Sequence, residues 1–154
     1  MQEILTSSAE ETEAVGRALG RVLPANSVLL LMGDLGSGKT TFVRGFLAGA
    51  GLSEMSEVVS PTFSYLNIYT ARLSVYHFDL YRLPHAEAFF SAGFDEYLQA
   101  GGICCIEWPE RAPQQLGTID IQGILTIQGD GRLLRLIAST DTGEKIIAYL
   151  AGKQ

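Results

Sequence analysis

The segment from Gly33 to Thr41 combines glycine, lysine and threonine at a spacing suited to holding a chain of phosphates. It reads Gly-Asp-Leu-Gly-Ser-Gly-Lys-Thr-Thr, after the apolar run Val28–Met32 and before an apolar pattern of helical spacing. A glycine-rich turn between a strand and a helix directs backbone N–H groups inward, and the helix N-terminus adds partial positive charge. The sequence therefore predicts a phosphate-binding P-loop (Walker A). A glycine-rich turn without a ligand is the alternative, which the flanking strand and helix disfavour.

Each residue type in this loop has a distinct expected role. Lys39 would reach the β- and γ-phosphates, and the Thr40 hydroxyl would complete the coordination shell of a bound Mg²⁺. ATP is favoured over GTP because the guanine-reading pattern Asn-Lys-x-Asp does not occur in the sequence. The predicted ligands are ATP and Mg²⁺, and the predicted phosphate-binding residues are Gly33, Asp34, Leu35, Gly36, Ser37, Gly38, Lys39, Thr40 and Thr41.

Two carboxylates stand where predicted strands end. Asp79 follows the aromatic and β-branched run Leu73–Phe78, and Glu107 follows the apolar run Ile103–Ile106. Nucleotides bind at the carboxyl ends of strands in α/β sheets. Glu107 matches the Walker B arrangement, in which the carboxylate holds Mg²⁺ or orients its water. Asp79 either orients and deprotonates the attacking water, or it tethers a switch segment or binds Mg²⁺ through water, and both interpretations stay open.

Four further residues carry weaker signals. Thr62 lies in Ser60–Phe63, between the P-loop helix and the next strand, where P-loop proteins place a switch that senses the γ-phosphate; an ordinary turn is the alternative. His77 is expected to pack or hydrogen-bond within its strand rather than act as a base. Trp108 either stacks on a base or a partner, or belongs to the core. Arg82 either stabilises charge in the site or, as we expect, pairs with a nearby carboxylate.

Composition narrows the class of protein. The 154 residues are 47% hydrophobic and 18% charged, with a formal net charge of −6, and we expect one domain over residues 1–154. Its 11 lysines and arginines are scattered, so autonomous nucleic-acid binding is disfavoured. The adjacent Cys104 and Cys105 are expected to be buried free thiols. No apolar stretch is long enough to span a bilayer and the N-terminus is not that of a basic signal peptide, so a cytoplasmic location is expected.

The predicted fold class is α/β, with a mostly parallel central sheet, flanking helices and antiparallel hairpins. Ser7 and Ser8 offer N-caps for a first helix with acidic residues three positions later, and Gly51 is a natural end for the P-loop helix. Further predicted elements are a short strand Gln2–Thr6, a hairpin of Tyr65–Tyr69 with Leu73–Phe78, short helices Ala86–Phe90 and Gly93–Leu98, a buried strand Ile103–Ile106, a hairpin around Gly129–Gly131 and a terminal helix from about Thr142 to Leu150.

Taken together, four motifs resemble those of the TsaE family, the P-loop ATPases of bacterial tRNA threonylcarbamoyladenosine biosynthesis. The motifs are Gly33–Thr41, Ser60–Phe63, His77–Arg82 and Ile106–Trp108. The resemblance implies a P-loop NTPase fold and a Mg²⁺-dependent ATPase, slow alone, that drives the TsaB–TsaD complex. It further implies that tRNA is contacted only indirectly and that no membrane is involved.

The resemblance also implies roles for single residues. Thr62 becomes a γ-phosphate switch, and Glu107 a Mg²⁺ ligand beside Thr40. Backbone near Ala9 and the side chain of Arg132 become nucleotide contacts. The catalytic set is then Lys39, Asp79 and Thr62. After Arg82 the sequence reads Pro-His-Ala-Glu-Ala instead of the family's acidic Pro-Glu-Glu-Leu, which puts in doubt any partner contact that depends on those acids.

Two other classes of function stay open. A small-molecule kinase usually needs an arginine-bearing lid that excludes water from the transferred phosphate, and no Arg-rich insertion is present in the sequence. A nucleotide-gated binding module without significant turnover is the second alternative, because the residues alone do not establish a catalytic role for Asp79.

Overall fold

The computed structural model describes residues 1–54, 58–61 and 63–152. Their strands are β1 Gln2–Thr6, β2 Val28–Met32, β3 Leu66–Thr70, β4 Ser74–Asp79, β5 Ile103–Glu107, β6 Ile121–Gln128 and β7 Gly131–Ala138. Their helices are α1 Ala9–Val22, α2 Lys39–Gly49, α3 Ala88–Ser91 and α4 Asp141–Ala151, with 3₁₀ helices at Phe94–Gln99 and Pro109–Arg111.

Within the described residues, the strands form one sheet of seven in the order β1-β7-β6-β2-β5-β4-β3. The four central strands β6, β2, β5 and β4 run parallel to one another. At one end β3 pairs antiparallel with β4, and at the other β7 pairs antiparallel with both β6 and β1. Both predicted hairpins form, as β3–β4 and β6–β7. The expected α/β class is confirmed, as a mixed sheet with parallel strands at its centre.

The register of the central strands determines which side chains share an edge. Asp79, the last residue of β4, lies opposite Glu107, the last residue of β5. Leu31 of β2 pairs with Glu107 from the other side. Because the three strands are parallel, the P-loop after β2 and both carboxylates are found at one edge of the sheet, as expected for such a fold.

Helices and loops cover both faces of the central strands. Leu29 and Leu31 of β2 pack with residues of α1, α2 and α4, whereas Val28 and Leu30 pack with α3 and the 3₁₀ segments on the other face. Strands buried on both faces read as continuous apolar runs rather than alternating ones, which explains the composition of β2 and β5. No helix in the described part of the chain has the length and apolarity to cross a membrane.

A capping arrangement determines where α1 begins. The Ser8 hydroxyl accepts a hydrogen bond from the Glu11 N–H at 3.1 Å, which satisfies one of the free amides of the first turn. The Glu11 carboxylate accepts a bond from the Ser7 N–H at 2.7 Å, and this bond lowers the pKa of Glu11. The first helix therefore starts where the serines predict, immediately beside the P-loop.

Helices α1 and α2 approach each other through glycines. A Cβ atom on Gly16 or Gly20 of α1 would overlap the backbone carbonyl of Phe42 or Phe46. A Cβ on Gly45 of α2 would in turn overlap the carbonyl of Glu13. The two backbones are thus in direct contact, and this contact determines where the start of α1 lies relative to the P-loop helix.

We expect Gly45→Ala to destabilise the protein, measured as the free energy of unfolding in urea. Overpacking costs about 1–3 kcal/mol, and the upper part of that range applies here because the Cβ would meet backbone of Glu13 rather than a flexible side chain. That cost exceeds the roughly 1 kcal/mol that alanine gains in helix propensity. Gly152→Ala, at the end of α4, is the matched control, because its Cβ would meet no described atom nearer than 3.7 Å. Equal stability of the two variants would contradict the close approach of the helices.

The two free cysteines give a second prediction. Burial raises the pKa of Cys104 to about 12 and that of Cys105 well above its usual value. A native thiol should therefore resist a thiol reagent at pH 8, and both should react after denaturation, as absorbance assays can measure. Since unfolded thiols ionise near pH 8.5 and the native ones stay protonated, higher pH should favour unfolding. Rapid reaction of a native thiol would refute this arrangement.

Candidate functional site

A cavity of about 620 Å³ lies at the carboxyl ends of β2, β4 and β5. Its wall combines backbone of the glycine-rich loop with hydroxyl, carboxylate, aromatic and cationic side chains. The lining residues are Leu35, Gly36, Gly38, Lys39, Thr40, Thr41, Ser60, Asp79, Tyr81, Arg82, Glu107, Trp108 and Arg132.

The loop from Gly33 to Gly38 has a backbone that requires glycine. Gly33 has a φ of +149°, and a Cβ there would lie 2.5 Å from the Leu125 carbonyl oxygen. Gly38, directly before α2, has a φ of +105°, in a region that other residues rarely adopt. The first amide of α2 that bonds a carbonyl is that of Phe42, which donates to Gly38 at 2.9 Å. The amides of the first turn before it have no carbonyl within the helix, which makes this end of α2 suitable for an anion.

The Lys39 ammonium holds the loop in this curved form. Its Nζ donates to the carbonyl of Gly33 and, at 3.0 Å, to that of Asp34. Two of its three donors are therefore used on the loop, and one remains. The ammonium also lies 4.9 Å from the centre of the Trp108 ring. Lys39 is thus nearly buried (7% exposed) while still lining the cavity.

Trp108 forms part of the cavity wall. Its φ of +56° is unusual for a bulky residue and follows directly after Glu107 at the end of β5. The ring contacts the Lys39 ammonium on one side and lies 4.8 Å, centre to centre, from the ring of Tyr81. Trp108 is half-buried and lines the cavity beside the loop. This position agrees both with stacking on a ligand or partner and with partial burial in the core.

Arg132 reaches the P-loop from β7. Its Nε donates to the Ser37 carbonyl at 2.9 Å, and its Nη2 donates to the Gly36 carbonyl at 3.1 Å. The guanidinium therefore binds two carbonyls of the loop and also lines the cavity. Ala9 lies in an adjacent cavity of about 260 Å³, which shares Gly38, Thr41 and Arg132 with the first.

Asp79 is engaged at both of its carboxylate oxygens. Oδ2 accepts a hydrogen bond from the Ser60 hydroxyl at 2.8 Å, and Oδ1 accepts one from the Tyr81 N–H at 3.0 Å. The Asn67 amide also donates to the Val59 carbonyl at 3.0 Å. In this conformation Asp79 thus tethers the segment 58–61 to the edge of the sheet. Thr62, the predicted switch residue, lies outside the described residues.

Glu107 is paired from behind the cavity. Its Oε2 lies 2.7 Å from Nε2 of His77, and both side chains are buried. His77 is therefore hydrogen-bonded within the sheet, as expected, and it does not line the cavity. Beside this pair, burial followed by the charge of Glu107 raises the pKa of Cys105.

The donors suit a nucleotide with a hard divalent cation. Thr40 and Glu107 line the same cavity, and Mg²⁺ in such sites usually takes one or two protein ligands and completes its shell with phosphates and water. No group of three or more His, Cys, Asp or Glu side chains in the described ranges could hold a metal ion by itself. A Mg²⁺ ion bound to a nucleotide needs no such group, because phosphate oxygens and water complete its shell. The site therefore fits the ion, with Thr40 and Glu107 as its protein ligands.

The structure brings most of the predicted site residues together. Leu35, Gly36, Gly38, Lys39, Thr40, Thr41, Asp79, Glu107 and Arg132 line the cavity. Gly33, Asp34 and Ser37 do not line it. The carbonyls of Gly33 and Asp34 bind the Lys39 ammonium, and Ser37 is a buried residue of the loop.

Three contacts differ from or extend the sequence interpretation. Arg82 forms no ion pair among the described residues; its guanidinium lies 4.7 Å from the centre of the Phe63 ring. Sequence reasoning missed Ser60 and Tyr81 as wall residues. The position of Ser60 in the motif with Pro61 is the signal that could have found it, whereas Tyr81 offers only its place two residues after Asp79.

Comparisons with known proteins agree on one family. The profile described as "Threonylcarbamoyl adenosine biosynthesis protein TsaE" matches residues 6–133. A relative from Treponema pallidum is 41% identical over 127 residues, covering 82% of this chain and 93% of the relative. One from Nostoc sp. is 43% identical over 136 residues, covering 85% and 82%. Both carry the name "tRNA threonylcarbamoyladenosine biosynthesis protein TsaE".

A solved structure agrees with the sequence matches. The crystal structure of Bacillus subtilis YdiB superimposes with a TM-score of 0.85 at 30% identity, covering 99% of this chain and 95% of that one. This similarity confirms the P-loop NTPase-like fold that the motifs predict. With the family match over most of its length, the chain belongs to the TsaE family of tRNA threonylcarbamoyladenosine biosynthesis proteins.

Proposed function

We propose that this protein is a Mg²⁺-dependent ATPase that drives a partner complex, TsaB–TsaD, in the threonylcarbamoyladenosine modification of tRNA. The observation that carries the proposal is the meeting of the P-loop, Thr40, Asp79 and Glu107 around one cavity. Phosphoryl-transfer enzymes use the same groups: backbone amides and an ammonium bind the phosphate chain, and carboxylates hold its cation and orient the nucleophile. The family name supports the pathway, and the net charge of −6 favours partners as the main contact with tRNA.

Each wall group has a role in this scheme. The amides of the loop and of the first turn of α2 bind the β- and γ-phosphates, together with the remaining donor of Lys39. Thr40 and Glu107 hold Mg²⁺, which when bound neutralises charge on the phosphate oxygens. Arg132 binds the carbonyls of Gly36 and Ser37 and so fixes the loop backbone whose amides bind the phosphates. Ala9 and its neighbours provide space for the rest of the nucleotide in the adjacent cavity.

Asp79 has two roles in this scheme. While its Oδ2 accepts the bond from Ser60 and its Oδ1 that from the Tyr81 N–H, the carboxylate is engaged as a tether and is restrained from reorienting toward an attacking water. Once Ser60 is released, the carboxylate can orient and deprotonate the water, a contribution worth about 10²–10⁴ in rate. Turnover should therefore be slow in the isolated protein and faster when a partner draws the segment 58–61 away. Thr62, next to that segment in sequence, would sense the γ-phosphate.

The same contacts support one alternative, a nucleotide-gated binding module without significant turnover. If Asp79 serves only as a tether, nucleotide binding would reposition the segment 58–61 for a partner, and hydrolysis would be incidental. The two functions differ in whether the Asp79 carboxylate matters for phosphate release.

We expect Lys39→Ala to weaken nucleotide binding by about 10- to 100-fold, since a hydrogen bond to a charged group contributes about 1.5–3 kcal/mol. Titration of a fluorescent ATP analogue with Mg²⁺ measures the affinity. Lys145→Ala is the matched control, because Lys145 is exposed on α4 and does not line the cavity. Wild-type affinity in the Lys39 variant would refute nucleotide binding at this site.

We expect Asp79→Asn to bind the ATP analogue as the wild type does but to lose about 10²–10⁴ of its turnover, because the amide cannot take a proton from water. Phosphate release is measured with and without the partner complex, and Asp95→Asn, an exposed aspartate, is the control. Unchanged turnover in Asp79→Asn would favour the binding module. Equal wild-type rates with and without partners would contradict a partner-driven ATPase.

A further inference from the structure

His77 and Glu107 form a buried, hydrogen-bonded pair that lies between the cavity and the interior of the sheet. The side chains are 3% and 5% exposed, and Nε2 and Oε2 are 2.7 Å apart. Glu107 lines the cavity, but His77 does not. The imidazole therefore contacts the carboxylate on the side away from any bound nucleotide.

The register of the sheet determines this arrangement. His77 of β4 lies opposite Cys105 of β5, and Glu107 follows two residues later, so it points to the same face. Cys105 packs in the core cluster that contains Phe42 and Val43 of α2. This is the face on which α2 lies, and the pair is thus on the same side of the sheet as Thr40 at the start of α2.

The hydrogen-bond partners indicate where the proton of the imidazole lies. His77 Nδ1 is buried and has no hydrogen-bond partner among the described residues. A buried N–H without an acceptor is costly, so the proton belongs on Nε2, from which it is donated to Glu107 Oε2. The other carboxylate oxygen, Oε1, forms no hydrogen bond to a described residue and is the oxygen left for a cation.

We propose that His77 is a positioning residue that orients the Glu107 carboxylate toward Mg²⁺. The bond to Oε2 holds the carboxylate in one rotamer and presents Oε1 to the ion. Hydrogen bonds of this kind orient ligands and tune metal affinity. The inference rests on the proposed function, in which Glu107 is a Mg²⁺ ligand, and adds a residue that touches neither the ion nor the nucleotide.

The test measures the Mg²⁺ requirement of binding rather than activity. A fluorescent ATP analogue is titrated in EDTA, and then Mg²⁺ is titrated at fixed analogue, for the wild type, His77→Leu and His77→Gln. His77→Leu should raise the Mg²⁺ concentration needed by about 10- to 100-fold and leave the affinity in EDTA unchanged. His77→Gln, whose amide can donate to Oε2, should recover most of the wild-type requirement.

Two controls separate positioning from structural damage. His85→Leu removes the other histidine of the chain, which is 62% exposed and lies 3.5 Å from Glu87, and it should leave the Mg²⁺ requirement unchanged. In a Glu107→Gln background, His77→Leu should have no further effect, because coupled residues are not additive. If thermal unfolding shows that the His77→Leu variant is not folded, His77→Asn replaces it. The asparagine amide is too short to reach Oε2 of Glu107, so the hydrogen bond is again lost.

The outcomes are distinct. A wild-type Mg²⁺ requirement in His77→Leu overturns the inference, as does an equal loss of affinity in EDTA or an additive effect with Glu107→Gln. A wild-type protein that binds the analogue equally with and without Mg²⁺ refutes the proposed Mg²⁺-dependent function itself, and the inference falls with it. A selective, Glu107-dependent rise in the Mg²⁺ requirement supports both.

Discussion

The nearly buried ammonium of Lys39 holds the glycine-rich loop in its curved form. Its bonds to the carbonyls of Gly33 and Asp34 bend the chain so that the loop closes onto the start of α2. Arg132 binds the carbonyls of Gly36 and Ser37. Two cationic side chains thus bind the carbonyl oxygens of the loop. These bonds set the direction of the loop's amides, which form part of the cavity wall.

Much of this arrangement could be predicted from local patterns. Apolar runs predicted β2 and β5, and the carboxyl-end rule identified Asp79 and Glu107, each at the end of a predicted strand, as candidates for the nucleotide site. Helix ends also followed local chemistry. Gly51, at a φ of +102°, ends α2 as predicted, with its amide bonded to Ala48 and that of Leu52 bonded to Leu47, the pattern of a Schellman motif.

Side-chain contacts between distant segments could not be predicted in this way. Arg132 meets Ser37 across 95 residues, and Ser60 meets Asp79 across 19. Such contacts depend on strand register and on the rotamer of each side chain. Neither can be read from the spacing of apolar residues in the sequence. His77 illustrates the point, because its strand was predictable but its bond to Glu107 depends on β4 pairing with β5 at one particular offset.

The backbone contact between α1 and α2 has a mechanical consequence. With glycines of each helix against the other's carbonyls, the pair cannot slide or separate by side-chain adjustment, and any shift of the P-loop helix carries the start of α1 with it. We therefore expect the start of α2 and the Ala9 end of α1, which line the two cavities, to move together as one rigid unit. The segment 58–61 on the other side is held by side-chain hydrogen bonds, among them those of Ser60 with Asp79 and Asn67 with Val59, so it can be displaced without separating the two helices.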